Sequence, residues 1–223
     1  MTGSLEVGEV VRRVFAIYIE QAAILFPAAA VVFVIGGLVA NLIVYAAPGL
    51  AVVAIGLQLV TSSVYTGMIV KLVADVRAGR RDANTRRLLR AVQPVLPELV
   101  IVSVVAFLGE LIGLILLVPG LILLTLWAVA APVVVVEHPG GLRALARSRE
   151  LVRGNAWQVF GVIVSFGLVV LSGLAVALLA SAAGEGANLV AQVVVSVLVL
   201  PLVSLASAVL YFELHDLKPA VAP

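Results

Sequence analysis

The sequence predicts an all-α integral membrane protein, a bundle of six transmembrane helices with an N-terminal amphipathic interfacial helix and amphipathic connections on the cytoplasmic face. Three observations carry this reading. Of 223 residues, 63% are apolar and only 12% are charged, about half the roughly 25% charged share of a typical globular domain, and the mean hydropathy is +1.24. Six apolar stretches approach or exceed the about 20 residues needed to cross a bilayer. The 14 Lys and Arg residues sort to one side of a six-span topology. Such a chain lacks the polar surface of a water-facing particle, and its spans leave no room for a separate soluble catalytic domain.

Residues 1–21 hold Glu6, Glu9 and Glu20 with no basic region ahead of an apolar core, so they do not read as a signal peptide. Val7, Val11, Val14 and Tyr18 recur at helical spacing, and Glu9 stands four residues before Arg13, within pairing range. This segment is expected to form an amphipathic helix in the membrane interface, ahead of a single membrane domain over 22–223.

The first span is expected at about 22–46, with Gly36 and Gly37 as a close-packing pair, and it ends in the turn Ala47, Pro48, Gly49. The second, about 50–72, carries Gln58, Thr61, Ser62, Ser63, Tyr65 and Thr66, a polar stripe too rich to face lipid throughout. In the charged segment from Asp75 to Arg90, Thr85 is placed to cap a short helix bearing Leu88, Leu89 and Val92. Pro94 and Pro97 break that helix before the third span, about 98–118, which stops at the turn signal Pro119-Gly120. The fourth span, about 121–136, is the shortest and contains Pro132; a re-entrant or tilted hairpin is the alternative to a full crossing. After a polar segment over 138–156 come the fifth and sixth spans, about 157–183 and 188–211. The last contains Pro201 and runs into Glu213, His215, Asp216 and Lys218.

Lys and Arg accumulate in cytoplasmic segments. With both termini inside, Arg12, Arg13, Lys71, the basic residues from Arg77 to Arg90, Arg143, Arg147, Arg149, Arg153 and Lys218 all fall on the cytoplasmic side. The outer connections, 47–49, 119–120 and 184–187, hold one charge, Glu185. The expected location is the inner (cytoplasmic) membrane. All the basic residues but Lys71 and Lys218 are Arg, which together with the Ala, Val and Leu content points to a high-GC bacterial genome.

Glu110 is the one ionisable residue deep in a span, roughly 18 Å from Glu98 and 13 Å from Pro119 along an ideal helix. An intramembrane carboxylate is costly. It points either to a proton- or cation-linked site lined by Gln58, Thr61, Ser62, Ser63 and Asn41, or to a hydrogen-bonded acid that holds the bundle together. Gly109 and Gly113 beside it form a GxxxG pair, a helix-approach motif common in apolar helices.

Between Glu137 and Trp157, Arg143, Arg147 and Glu150 share one helical face and Leu142, Leu145 and Val152 another. The arginines suit anionic lipid headgroups at about 1 kcal/mol each. Alternatively, Arg143, Arg147, Ser148, Arg149 and Arg153 grip a phosphate, for which Arg offers a planar multidentate donor set. Catalytic signatures are missing. Cysteine is absent, His138 and His215 are the only histidines, and no HExxH, GxSxG, P-loop or GxGxxG occurs. Spacing permits a Ser148–His138 pair, but nothing marks it. No metal or cofactor is expected, and the basic residues lack the interleaved aromatics of a nucleic-acid surface.

The run GLILLVPGLILLTLWAVAAPVVVVE followed by ALARSRELVRGNAW, with EVVRRVFAIY and VYTGMIVKLVADVRAGR upstream, resembles the bacterial membrane-domain family named for glycerophosphoryl diester phosphodiesterase. The resemblance covers nearly the whole chain, and its most specific matches are Pro119-Gly120, Glu137, Ser148, Leu151, Gly154 and Trp157. It implies a multi-spanning membrane module that some relatives fuse to a phosphodiesterase barrel. That barrel's metal-binding carboxylates and histidines have no counterpart here, so the resemblance does not imply the activity.

The expected function is a non-enzymatic membrane module that acts on lipids or as a scaffold. Its expected partners are membrane lipids, including anionic headgroups at the cytoplasmic face, and a protein partner or a second copy of itself. A small transporter or channel using Glu110 is the first alternative, and a lipid-modifying membrane enzyme the second.

Overall fold

The computed structural model describes residues 5–80, 85–115 and 118–218. The described residues are 91% helical and form ten α-helices and no strand. These are α1 (Val7–Glu20), α2 (Ala22–Ala46), α3 (Ala51–Arg77), α4 (Thr85–Val92), α5 (Leu96–Ile115), α6 (Val118–Trp127), α7 (Ala130–Glu137), α8 (Gly141–Val152), α9 (Ala156–Ser181) and α10 (Glu185–Leu217). Six helical stretches are long and apolar enough to cross a membrane. The molecule is a multi-spanning α-helical membrane protein.

Its outer surface fits that solvent. Tyr45, Val52 and Leu179 are among the most exposed large apolar side chains, and in hydrocarbon such exposure carries no penalty. Helix association then rests on close packing and interhelical hydrogen bonds rather than on burial from water. In the antiparallel α2–α3 pair, Phe33 and Tyr65 have ring centroids 5.0 Å apart, and Gly36 lets Thr61 approach so closely that a Cβ there would stand 2.8 Å from its Cγ2. Gly37 has nothing within 4 Å, so Gly36 packs and Gly37 does not, a correction to the expected pair. The α3–α10 pair runs parallel: Thr66 meets Ser204 at 3.3 Å, and eleven residues further along α3 Arg77 pairs with Asp216. Gly173 admits Val195 between the antiparallel α9 and α10.

The N-terminal helix exists as expected, and its Glu9 pairs with Arg13 at 3.6 Å and with Arg12 at 2.6 Å. Its buried side, Val10, Val14 and Ile17, lies against α9 and α10: Phe15 stacks on Phe166 at 6.2 Å, and Arg13 pairs with Glu213. Pro201 sits inside α10, where it removes a ladder hydrogen bond. Close by, Tyr18 donates its hydroxyl to the Leu198 carbonyl at 2.9 Å.

The residues that precede Thr85, the expected cap of α4, lie outside the described ones. Two boundaries differ from expectation. Pro119 and Gly120 belong to the first turn of α6 instead of forming the turn between spans; proline suits that place because the first helical N–H groups have no intrahelical partner. The fourth span is two helices, α6 and α7, separated by a turn at Ala128 and Val129. The α5–α6 hairpin closes tightly, since a Cβ on Gly109 would enter the Trp127 ring and one on Gly113 would stand 2.9 Å from the Gly120 backbone nitrogen. Both glycines of the GxxxG pair therefore serve helix approach.

The ion pairs of Glu9, Asp75, Glu137, Glu213 and Asp216 lie toward one end of the bundle, on α1, on or just past the α3, α7 and α10 C-termini and on α8. This basic end is the side on which the sequence places its cytoplasmic charges.

Candidate functional site

The junction of α6, α7, α8 and α10 gathers a dense group of polar contacts between distant segments. It begins with the break in the fourth span. The last carbonyls of a helix lack intrahelical donors, and in hydrocarbon no water replaces them. Two serines supply the protons: Ser148 Oγ donates to the Leu126 carbonyl at 2.8 Å, and Ser207 Oγ to the Ala128 carbonyl at 2.6 Å. Ser148 is fully buried. Its hydroxyl proton is committed to a carbonyl, which leaves it unsuited to gripping a phosphate.

Beyond the break, α7 is buried at Val133, Val134 and Val135 and ends at Glu137. His138 adopts the left-handed conformation with φ 54°, and the chain reverses through Pro139 and Gly140 into α8. The reversal brings Arg147 Nε to 3.0 Å from Glu137 Oε2 and its NH1 to 3.4 Å from Glu150 Oε2. Tyr211 of α10 donates to Glu137 Oε1 at 3.1 Å. Burial alone would lower the pKa of the Arg147 guanidinium. The hydrogen bonds and charges of Glu137, then Glu150, outweigh it and hold the pKa above its ordinary value.

The C-terminus of α8 is tied down from α10. Lys218 Nζ donates to the carbonyls of Glu150 at 2.9 Å, Leu151 at 3.3 Å and Arg153. A cation among the last carbonyls of a helix is favoured both by hydrogen bonding and by the helix dipole.

The five phosphate candidates thus divide. Arg147 and Ser148 are consumed by the protein itself. Arg143, Arg149 and Arg153 are exposed, and among the described residues no carboxylate lies within ion-pair distance of them. Past Arg153, a cavity of about 280 Å³ opens between α6 and the start of α9, lined by Val118, Leu121, Ile122, Leu126, Trp157 and Phe160 among others. Thr125 also borders it, but its hydroxyl is donated to the Leu121 carbonyl at 2.7 Å, so the lining offers hydrocarbon. Val118 opens α6 while Trp157 is the second residue of α9. The start of α6 and the start of α9 therefore border the same cavity.

The other candidate group does not assemble in the same way. The hydroxyls of Thr61, Ser62 and Ser63 donate to carbonyls of their own helix, as serine and threonine in helices do. Only Ser63 also reaches across, to Ser103 of α5 at 2.8 Å. Asn41 bonds the Gly37 carbonyl one turn back at 2.9 Å, and Gln58 is exposed. The Glu110 side chain lies outside the described residues, as do Arg81 and Asp82 of the charged segment. Among the described residues no three His, Asp or Glu side chains converge on a point that could hold a metal.

Tyr211, Ser207 and Lys218 were not legible as site residues, because each acts on a partner 65 or more residues away. Glu98, expected only as the start of a span, has a buried Oε2 with no hydrogen-bond partner in the described structure. Several residues that carry the family resemblance meet at this junction. Glu137 and Ser148 make the contacts above, Leu151 is fully buried, Gly154 turns at φ 95° and Trp157 lines the cavity. No family model, curated protein or solved structure matches the chain.

Proposed function

We propose that the protein is a non-enzymatic, lipid-associated module of the cytoplasmic membrane, with both termini inside and its basic end against anionic headgroups. The observation that carries this is the division of the arginines on and just after α8. Arg147 is spent internally on Glu137 and Glu150, whereas Arg143, Arg149 and Arg153 stay exposed, with no carboxylate in ion-pair range among the described residues. Each such cation near an anionic leaflet contributes about 1 kcal/mol. The resemblance to stand-alone membrane domains agrees with a module that binds in the bilayer and does no bond-breaking. The hydroxyls of the α3 stripe, bonded to their own helix at Thr61 and Ser62 and to neighbouring helices at Ser63, Tyr65 and Thr66, support packing over a conducting path.

The test is mass spectrometry of the lipids and proteins retained after gentle extraction. Anionic phospholipids enriched several-fold over the bulk membrane, and depleted toward bulk when Arg143, Arg149 and Arg153 are together replaced by Gln, are the expected result. A retained pool with the bulk composition overturns the lipid reading. A stoichiometric co-purifying protein would replace it with the scaffold role.

A further inference from the structure

We infer that the α6–α9 cavity seats one acyl chain of an anionic phospholipid whose phosphate is held by Arg149 and Arg153. The inference rests on the lipid reading above and gives it a location. The cavity is open on its lipid side, because Trp157 is 79% exposed, Val118 64% and Ile122 52%. Its volume of about 280 Å³ suits a stretch of acyl chain rather than a whole lipid. Thr125 offers it no free hydroxyl, so a polar ligand would find no partner inside.

The charge comes from the adjoining stretch of chain. Ala156 and Trp157 line the cavity, and Arg153 precedes Ala156 by only three residues. Arg149 stands one helical turn earlier, its carbonyl accepting the Arg153 amide at 3.0 Å. Side chains at this spacing can converge on one phosphate, each with several donors. The neighbouring cations are taken: Arg147 is paired, and Lys218 caps α8. An exposed Trp at the junction of a charged segment and an apolar helix is also the usual interfacial anchor. An apolar slot, preceded in the chain by two exposed arginines with no carboxylate in ion-pair range among the described residues, fits a lipid with a negative headgroup better than a neutral one or an apolar protein helix.

The experiment uses the full chain with Trp127→Phe, which leaves Trp157 as the single tryptophan, reconstituted in vesicles. Quenching of Trp157 is measured with phosphatidylglycerol or phosphatidylcholine brominated on one acyl chain. The expected result is about tenfold stronger quenching efficiency with the anionic lipid at low mole fraction, lost in Arg149→Gln/Arg153→Gln but kept in Arg90→Gln, an exposed arginine of α4 away from the cavity lining. A second variant, Leu121→Trp in the Trp157→Phe background, reports on the opposite wall and should show the same preference. Equal quenching by the two lipids, or a preference that survives the double Arg variant, overturns the site. Displacement of the brominated lipid by millimolar inorganic phosphate also overturns it, since the cavity would then hold nothing. If whole-protein retention of anionic lipid depends on Arg143 alone, this site fails while the broader lipid reading stands.

Discussion

Arg147 Nε stands 3.0 Å from Glu137 Oε2 across a left-handed turn at His138. Both side chains are only 24% exposed, so the pair lies between a surface ion pair worth at most about 1 kcal/mol and a buried one whose disruption costs roughly 3–5. Glu137→Gln is expected to lower stability by about 1–3 kcal/mol, measured by thermal or denaturant unfolding in detergent. Arg147→Gln should cost a similar amount, and the double variant less than the sum, because each single variant already breaks the shared pair. Additive losses would mean the two residues do not act together. Since the Arg147 pKa is raised, its share of stability is present at all pH below its ordinary value and is lost only above it. Arg147 therefore adds no pH dependence between about pH 5 and 9.

Ser148 and Ser207 close the end of α6, and each has an orphaned carbonyl as its partner. Ser148→Ala and Ser207→Ala should each cost about 1–2 kcal/mol, the price of a buried acceptor left unmet. Ser62→Ala, which removes only bonds within its own helix, should cost little or nothing. Equal effects at all three positions would show that sealing the break has no special weight.

Gly113 faces the backbone of Gly120, which cannot swing aside. Gly113→Ala is expected to loosen the α5–α6 hairpin and lower stability by about 2 kcal/mol or more. Gly37→Ala, with nothing within 4 Å, should be neutral or stabilise by up to about 1 kcal/mol. Paired unfolding curves of the two variants decide it.

His138 is the one non-glycine residue with positive φ among those described. His138→Gly should therefore be tolerated or stabilise by about 0.5 kcal/mol, while His138→Val should cost about 1–2. Greater loss with Gly than with Val would mean that the imidazole, rather than the backbone, matters at this position.

Hydropathy located the spans because a bilayer selects composition. The first is found where it was expected, at Ala22–Ala46. It missed ends such as Arg77 of α3 and Leu217 of α10, since a helix continues into water on residues that no apolar window registers. Pro119-Gly120 misled because the same dipeptide that makes a turn also fits a helix's first turn. The α3 hydroxyls showed that polar groups were present but not whom they would meet, for Ser and Thr can satisfy themselves on their own helix. The split between Arg147 and Arg149 was likewise hidden: adjacent positions on one helix diverge only once Glu137 and Tyr211 occupy one of its sides.

The serine seals also set a schedule for synthesis. Ser148 follows Leu126 by 22 residues and Ser207 follows Ala128 by 79. At about 5–20 residues per second, the first carbonyl gains its partner within roughly 1–4 s of translation and the second only after roughly 4–16 s. Until then the nascent fourth span carries an unsealed backbone, so ribosomes stalled before residue 207 should leave a chain that membrane quality-control proteases cut at the Ala128–Val129 turn.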